Sequence, residues 1–429
     1  MEKYFKLKEN NTNVKQEFLA GITTFMTMAY ILIVNPSILS AAGMDYNAVF
    51  TATAVSAIIA TLVMGLYAKL PFAQAPGMGL NAFFAFTIVK QMGYSFNFAL
   101  TVVFLEGIIF ILLTAFNVRE AIVNCIPLNI KRAISVGIGL FVAFIGLEGA
   151  QIIVHPQNST ILALGDITSS HALLGLIGLI ITGVLLARNI KGALLIGIVI
   201  TTLVGIPMGI TTVPTDIFSM PPSLSPIAFK LEWHSIFTFD MLIALFSLLF
   251  MDMFDTIGTL VGVATKANML DEDGNVPNVK KALFADAIGT TFGALLGTST
   301  VSTFVESASG VSEGGRTGLT AVSTAFMFFL ALFISPIFIM IPTAATAPSL
   351  VMVGLFMMEP IKEIDLNDYT EAIPSFFTII MMPLAYSIAD GIAFGIISYV
   401  FLKAFTGNKK DLNIATVLTS VLFIVKFLV

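Results

Sequence analysis

The stretch MDMFDTIGTL, residues 251–260, places two carboxylates inside an apolar run that extends from about Met241 to Ala267. A charged side chain at the middle of a bilayer costs about 2.5 to 3.5 kcal/mol on insertion scales, so acids in such a run usually face a cavity or a partner. The spacing of three residues puts Asp252 and Asp255 on one face of a helix. The stretch therefore predicts a membrane helix with a functional polar face.

The composition of the whole chain is that of a membrane protein. Of its 429 residues, 57% are hydrophobic and 11% are charged, whereas soluble domains carry about 25% charged residues. Apolar runs recur that are long enough to cross a hydrocarbon core of about 30 Å as helices of about 20 residues. We therefore predict an all-α polytopic membrane protein.

The apolar runs predict fourteen transmembrane segments in two sets of seven, separated by a polar, Pro-rich connection. The first set lies near residues 18–40, 47–68, 77–90, 97–116, 132–153, 171–187 and 192–211. The second set lies near residues 238–264, 280–297, 304–314, 317–341, 345–359, 371–386 and 388–405. Because seven is odd, the second set enters the membrane from the opposite side, as two inverted seven-span repeats require.

Basic residues orient these spans, because cytoplasmic loops are enriched in Lys and Arg. With the N-terminus inside, all basic residues except Lys90, Lys230 and Lys426 fall in cytoplasmic segments or at their edges. The polar N-terminus, 1–17, precedes a full-length span, which argues against a cleaved signal peptide. The tail, 411–429, is apolar enough to cross, but a fifteenth crossing would move the C-terminus outside. We therefore predict a membrane-associated tail helix and two cytoplasmic termini.

Two short spans occupy the same position in each set. PFAQAPGMGLNAFFAF (71–86) and STVSTFVESASGVSEGG (299–315) are third members and are rich in Gly, Ser and Pro. Each is predicted to be a strand followed by a half-helix, and interrupted segments at matching positions indicate a transporter's binding site. Small residues also permit close helix packing, but packing alone does not explain Glu306 in the second segment.

Candidate site residues follow from these breaks. Asn81 and Glu306 lie where the two half-helices begin, so their side chains and the free backbone N–H groups should face one midplane space. A buried carboxylate without a cationic partner can take up and release protons near neutral pH; a protonated structural role is the alternative. Phe83 could stack on a flat ring or simply pack, and Asn81 could be a helix cap. Structural roles are favoured for Glu106, Glu148, Asp286, Glu313 and Asp390.

Several functional classes are disfavoured. The net charge of −5 is shallow and spread out, which indicates neither a nucleic-acid partner nor a polybasic lipid patch. The single Cys125 lacks the clustered Cys and His spacing of a metal site. The histidines, His155, His171 and His234, fall in or beside predicted outer loops, and no nucleophile and base pair is visible at membrane depth. We therefore predict no metal, no cofactor and no enzyme activity.

Carboxylates beside free N–H groups suit a ligand that both donates and accepts hydrogen bonds in one plane, as a nucleobase does. A simple anion would favour the half-helix N-termini alone, since ionised acids would repel it. An anion transporter or exchanger on the same fold remains the alternative.

Four stretches carry a resemblance that covers essentially the whole chain: GITTFMTMAYILIVNP (21–36), APGMGLNAFFAF (75–86), MDMFDTIGTLVGVA (251–264) and ADAIGTTFGALLGTSTVSTFVESASGVSEGGRTGLTA (285–321). The sequence resembles the adenine, guanine and hypoxanthine permeases of the nucleobase–ascorbate transporter (nucleobase:cation symporter-2) superfamily. The resemblance implies proton-coupled uptake of purine nucleobases across the plasma membrane, with hypoxanthine and guanine first and adenine as a further candidate.

The resemblance also implies a core domain that holds the substrate, a gate domain, and a homodimer formed through the gates. The implied boundaries are the cytoplasmic N-terminus 1–17, core 18–116, gate 117–211, extracellular linker 212–237, core 238–341, gate 342–405 and the tail 406–429.

Motif by motif, the resemblance assigns base binding to Asp252 and proton coupling to Asp255. The expected substrate-binding residues are Asn81, Phe83, Asp252, Val305, Glu306 and Ser307. Relatives in the uracil and xanthine branches carry Asn at the position of Ser307, and a His near the acid of the eighth span where this chain has none. These departures fit the purine branch and leave the division of roles between Asp252 and Asp255 open.

Overall fold

The computed structural model describes residues 2–115, 127–154, 162–234, 236–266, 269, 276–407 and 412–428. The predictions made for Cys125 and His155 fall outside these residues. The described part of the chain is mostly helical.

The first half of the chain begins with a short helix and then alternates long helices with one interrupted segment. Its elements are α1 (Glu2–Phe5), α2 (Val14–Met28), α3 (Ile31–Ser40), α4 (Tyr46–Val63), β1 (Gln74–Pro76), α5 (Met78–Ala82), α6 (Phe96–Ala115), α7 (Leu128–Gly149), β2 (Ile153–Val154), β3 (Ala163–Leu164), α8 (Ser170–Ala187) and α9 (Ala193–Gly205). Helices α4 and α5 continue as π-helical turns over Met64–Ala68 and Phe83–Gln91. The small pair β2–β3 was not predicted.

The second half repeats this pattern. Its elements are α10 (Phe239–Lys266), α11 (Val279–Leu296), β4 (Val301–Thr303), α12 (Ser307–Ser312), α13 (Gly318–Phe333), α14 (Ser335–Ile339), α15 (Thr343–Met357), a 3-10 turn (Glu359–Glu363), α16 (Tyr369–Leu384), α17 (Ile388–Phe405) and α18 (Ile414–Leu428). A helix therefore lies at every predicted span position, and the first span is formed by α2 and α3 together.

Seven helical segments of the described chain are long and apolar enough to cross a membrane. They are Val14–Ser40, Tyr46–Ala68, Phe96–Ala115, Leu128–Gly149, Ser170–Ala187, Thr343–Glu363 and Ile388–Phe405. This finding agrees with the prediction of a multi-pass helical membrane protein.

The two interrupted segments pair with each other. Strands β1 and β4 are antiparallel, with Gln74 opposite Thr303 and Pro76 opposite Val301. The residue before a proline disfavours helical backbone, and β-branched residues favour strands, which explains extended chain at Ala75 and in β4. The predicted order of strand and half-helix is confirmed at both places, whereas the pairing between them was not predicted.

Packing divides the helices into two groups. Around the strand pair, α11 packs on α4 and α6, α13 packs on α2 and α4, and α12 packs on α2. In the other group, α7 packs on α15 and α16, α16 on α17, and α8 on α9 and α15. The interrupted segments therefore lie within the first group.

Candidate functional site

Glu306 directly precedes α12 and is the N-cap residue of that helix. The Tyr30 hydroxyl donates to Glu306 Oε1 at 2.5 Å, and the Thr27 hydroxyl donates to the Glu306 backbone oxygen at 3.4 Å. Tyr30 lies in the break between α2 and α3 and is 1% exposed, whereas neighbouring Val305 is 49% exposed. The first span thus holds one oxygen of Glu306, next to the exposed Val305.

Asp255, on α10, is within electrostatic range of Glu306. The Ser302 hydroxyl on β4 forms a hydrogen bond with the Asp255 carboxyl, and the Asp255 and Glu306 carboxyls interact electrostatically. Both acids are only partly buried. We call Asp255 and Glu306 the outer acid pair.

Asp252, one turn earlier on α10, has a different environment, because it is fully buried. The Thr256 hydroxyl is 3.2 Å from Asp252 Oδ1 and 3.1 Å from Asp286 Oδ1 on α11. Gln74 Nε2 on β1 lies 3.4 Å from the same Asp286 oxygen and 3.2 Å from the Thr303 hydroxyl. We call Asp252 and Asp286 the inner acid pair.

Strand β4 reaches the outer acid pair directly and the inner acid pair through Gln74. Successive side chains of a strand point to opposite faces, and Ser302 bonds Asp255 while Thr303 bonds Gln74. Ser302 therefore serves the outer acid pair, and Thr303 is linked through Gln74 to the inner acid pair.

Three other predicted residues, Ser307, Asn81 and Phe83, are fully buried. Ser307 is fully buried and its hydroxyl accepts from the Ala73 N–H at 3.0 Å. Asn81 is fully buried and its amide oxygen accepts from the Ser299 hydroxyl. Phe83 is fully buried in the apolar core. The structure therefore brings Asp255, Val305 and Glu306 together, whereas Ser307, Asn81 and Phe83 are fully buried.

One expectation about the backbone was wrong. The N–H groups at the start of α12 were expected to be free, yet those of Ser307, Ala308 and Ser309 donate to carbonyl oxygens three residues earlier at 3.1, 3.0 and 2.9 Å. The reason is that the chain already turns at Val305 and Glu306, so the first donors find local acceptors. Side chains, rather than these N–H groups, define this part of the site.

Sequence reasoning missed Tyr30, Gln74, Thr256 and Ser302 as members of the site, and assigned Asp286 a structural role. Tyr30 lies within the quoted stretch 21–36, which was a usable signal. Gln74, Thr256 and Ser302 also lie within quoted stretches, but their contacts depend on how β1, β4, α10 and α11 meet, which one sequence does not predict. Within the described ranges, no group of three or more His, Cys, Asp or Glu residues could hold a metal ion.

Comparison with known proteins places the chain among transporters. The permease family model Xan_ur_permease matches residues 15–394. The adenine permease AdeP of Escherichia coli (strain K12) is 42% identical over 426 residues, which cover 99% of this chain and 95% of that protein. The guanine/hypoxanthine permease PbuG of Bacillus subtilis (strain 168) is 42% identical over 440 residues, which cover 100% of this chain and 99% of that protein. These names support the predicted transporter class and not an enzyme.

Solved structures with little sequence similarity share the fold. The transmembrane domain of a cyanobacterium bicarbonate transporter, BicA, aligns with a TM-score of 0.66 at 17% identity, over 88% of this chain and 97% of that one. SLC26A9 aligns with a TM-score of 0.64 at 12% identity, over 94% of this chain and 66% of that one. At such identities the likeness concerns the fold alone.

Proposed function

The chain belongs to the nucleobase–ascorbate transporter family of permeases, and from this premise we propose that it is a proton-coupled importer of purine nucleobases. Hypoxanthine and guanine are the proposed substrates, with adenine as a further candidate. Relatives named for adenine and for guanine/hypoxanthine support this substrate class.

The proposed architecture has fourteen spans in two inverted repeats, with the N-terminus in the cytoplasm. The helices around the strand pair form the core, and the group containing α7 and α15 forms the gate. The separate packing of these two groups supports the division, and the antiparallel pairing of β1 with β4 supports inverted repeats. The homodimer through the gates stays a prediction.

The observation that carries the proposed function is the meeting of Asp255 and Glu306 at the ends of the paired strands. A carboxylate accepts hydrogen bonds, and a purine base presents ring N–H and amino donors in one plane. Because Tyr30 already donates to one oxygen of Glu306, the second oxygen can accept from the base. A free anion would be repelled by the outer acid pair, which disfavours the anion-transport alternative.

This geometry favours a division of roles opposite to the one that the resemblance implied. Asp255 and Glu306 would bind the base, whereas Asp252 is fully buried and bonded through Thr256 toward Asp286. We therefore assign base binding to the outer acid pair and proton coupling to the inner acid pair.

The inner acid pair suits a proton because one hydroxyl lies between two carboxyls. The Thr256 hydroxyl has a single hydrogen to donate, yet it lies within hydrogen-bond distance of both Asp252 and Asp286. Both contacts are satisfied when one carboxyl carries a proton. Asp286 also accepts from Gln74, so it is the better acceptor, and Asp252 is the proposed proton carrier.

Uptake of radiolabelled hypoxanthine into proteoliposomes tests this function. An acidic exterior should drive uptake, and unlabelled guanine and adenine should compete while uracil and sulfate should not. An equal rate of hypoxanthine uptake with and without the pH gradient would refute proton coupling. Competition by sulfate, or indifference to every base, would refute the purine assignment.

A further inference from the structure

A run of three hydroxyl residues, Thr298, Ser299 and Thr300, connects α11 to β4. All three residues are fully buried. Gly297, with φ of 98°, ends α11 in the left-handed region that suits glycine. The run thus enters the protein interior directly before the strand that serves the acid pairs.

Each residue of this run is bonded by a buried polar side chain from a different helix. Asn35 Nδ2 on α3 donates to the Thr298 hydroxyl at 2.9 Å. The Ser299 hydroxyl donates to Asn81 on α5, and the Thr300 hydroxyl donates to Glu106 Oε2 on α6. Three consecutive side chains are therefore tied to three helices.

The run also fixes the register of the strand pair. The Gly77 N–H donates to the Thr300 carbonyl oxygen at 3.0 Å, which extends the pairing of β1 with β4. Ser302, two residues further, bonds Asp255, and Glu306 follows four residues later. A displacement of Thr300 would therefore move Glu306 and the Ser302 side chain that bonds Asp255.

From these contacts we infer that Glu106 and Asn81 are positioning residues for the base site, acting through Thr300 and Ser299 without touching the base. The inference deepens the proposed function and rests on it where base affinity is concerned. Asn81 was expected to bind the base, but its oxygen is engaged by Ser299 in a fully buried position. Glu106 needs only an acceptor oxygen for this task.

The test compares Glu106→Ala with Glu106→Gln, because the Gln side chain keeps an acceptor oxygen at the same place. Losing a buried hydrogen bond of this kind should raise the KM for hypoxanthine about tenfold in Glu106→Ala and in Thr300→Val. The double variant should be no worse than Glu106→Ala alone, and Glu106→Gln should stay within about twofold of the native KM. KM does not depend on the amount of folded protein, so a loss of stability alone would not move it.

Asn81→Ala and Ser299→Ala form a second pair of variants. They should raise KM by similar factors and leave the relative affinities for hypoxanthine, guanine and adenine unchanged. A ranking that changes in Asn81→Ala alone would show that Asn81 contacts the base and would overturn its positioning role. Additive effects of Glu106→Ala and Thr300→Val, or an unchanged KM in both, would overturn the role of Glu106.

Hydrogen–deuterium exchange separates this inference from the transport function. Glu106→Ala should speed exchange of the backbone amides of residues 301–306, whereas Glu106→Gln should leave them near the native rate. This readout needs no substrate, so it holds even if the native protein fails to take up hypoxanthine. Equal exchange in all three proteins would contradict the inference.

A second, independent observation concerns α18. The Phe427 ring packs against the Phe394 ring of α17 at 5.5 Å. In an antiparallel helical hairpin, two residues that face each other are about equally far along the chain from the connection. Phe394 and Phe427 meet this condition, because the midpoint of their positions, 410.5, lies between the end of α17 and the start of α18. Phe427 lies thirteen residues after the start of α18, which corresponds to about 20 Å along a helix.

Helix α18 also contacts α10, the helix of the site acids. Phe423 is 3% exposed and lies 6.5 Å from the ring of Phe246. Phe246 and Phe394 are seven and six residues from the starts of their helices, so α18 has run most of the way back along α17. We propose that α18 is a further membrane helix, which places its end on the side of the membrane opposite to the α17–α18 connection.

Cysteine labelling tests this placement. In a Cys125→Ser background, one variant carries Thr406→Cys in the connection and another carries a cysteine appended after Val429. A membrane-impermeant maleimide should label the two from opposite sides of sealed vesicles. Labelling of both from the same side would overturn the proposal, and protease access to an epitope appended after Val429 checks the result without a cysteine.

Discussion

The outer and inner acid pairs contain the same chemical groups, and α10 contributes one acid to each, yet their surroundings differ. Asp255 and Glu306 are partly exposed and bonded by Ser302 and Tyr30. Asp252 and Asp286 are fully buried and share one hydroxyl. Within three residues of one helix, the surroundings thus change from those of the partly exposed Asp255, the proposed base-binding acid, to those of the fully buried Asp252, the proposed proton carrier.

The largest effect on base affinity is expected from the outer acid pair. Glu306→Gln replaces the oxygen that is proposed to accept from the base with an NH2 group, which cannot accept. Hydrogen bonds to charged groups contribute about 1.5 to 3 kcal/mol, so the KM for hypoxanthine should rise roughly ten- to a hundredfold. Glu313→Gln, at the other end of α12, is the matched control and should leave the KM for hypoxanthine near its native value. A native KM for hypoxanthine in Glu306→Gln would show that the outer acid pair does not bind the base.

A smaller effect is expected from Tyr30→Phe, which deletes the hydroxyl that holds Glu306 Oε1 and changes little else. The carboxylate keeps its place before α12 but loses one donor, so KM should rise about five- to tenfold, less than in Glu306→Gln. The change should disappear in a Glu306→Gln background, because Tyr30 influences base binding only through the Glu306 carboxylate. Full additivity would show that Tyr30 acts elsewhere.

The smallest effect on affinity is expected from Thr256→Val, which has nearly the same shape but no hydroxyl. Base affinity should stay within about twofold, whereas the protein should lose about 1 to 3 kcal/mol of stability because two buried carboxyls lose a shared partner. Thr182→Val is the control, since Thr182 is fully buried and its hydroxyl has no hydrogen-bond partner among the described residues. Equal melting temperatures of the two variants would contradict a bonding role for Thr256.

Much of this arrangement could be predicted from the sequence. Apolar runs predicted the positions of the helices, because a helix that crosses the bilayer needs a continuous apolar length of about 20 residues. Gly and Pro in 71–86 and Gly and Ser in 299–315 located the two breaks, since these residues disfavour helix interiors. The acids were identified because a carboxylate inside a membrane-spanning run is costly unless it faces a cavity or a partner.

The remainder depended on contacts between distant segments. The pairing of β1 with β4 joins residues more than two hundred positions apart, and no local pattern sets its register. Asp252 and Asp255 share a helix face, so only the neighbours supplied by α11 and β4 distinguish them. The turn at Val305 and Glu306, which satisfies the first N–H groups of α12, is likewise decided by tertiary packing.

The most direct measurement compares Asp252→Asn and Asp255→Asn in hypoxanthine binding by calorimetry and in proton-driven uptake by the same purified proteins. Asp252→Asn should bind hypoxanthine within about threefold of the native affinity and lose its response to an imposed pH gradient, because Asn resembles a carboxyl that cannot release its proton. Asp255→Asn should lose at least about tenfold in affinity. If Asp252→Asn abolishes binding while Asp255→Asn binds normally, the assignment of the two acid pairs is wrong.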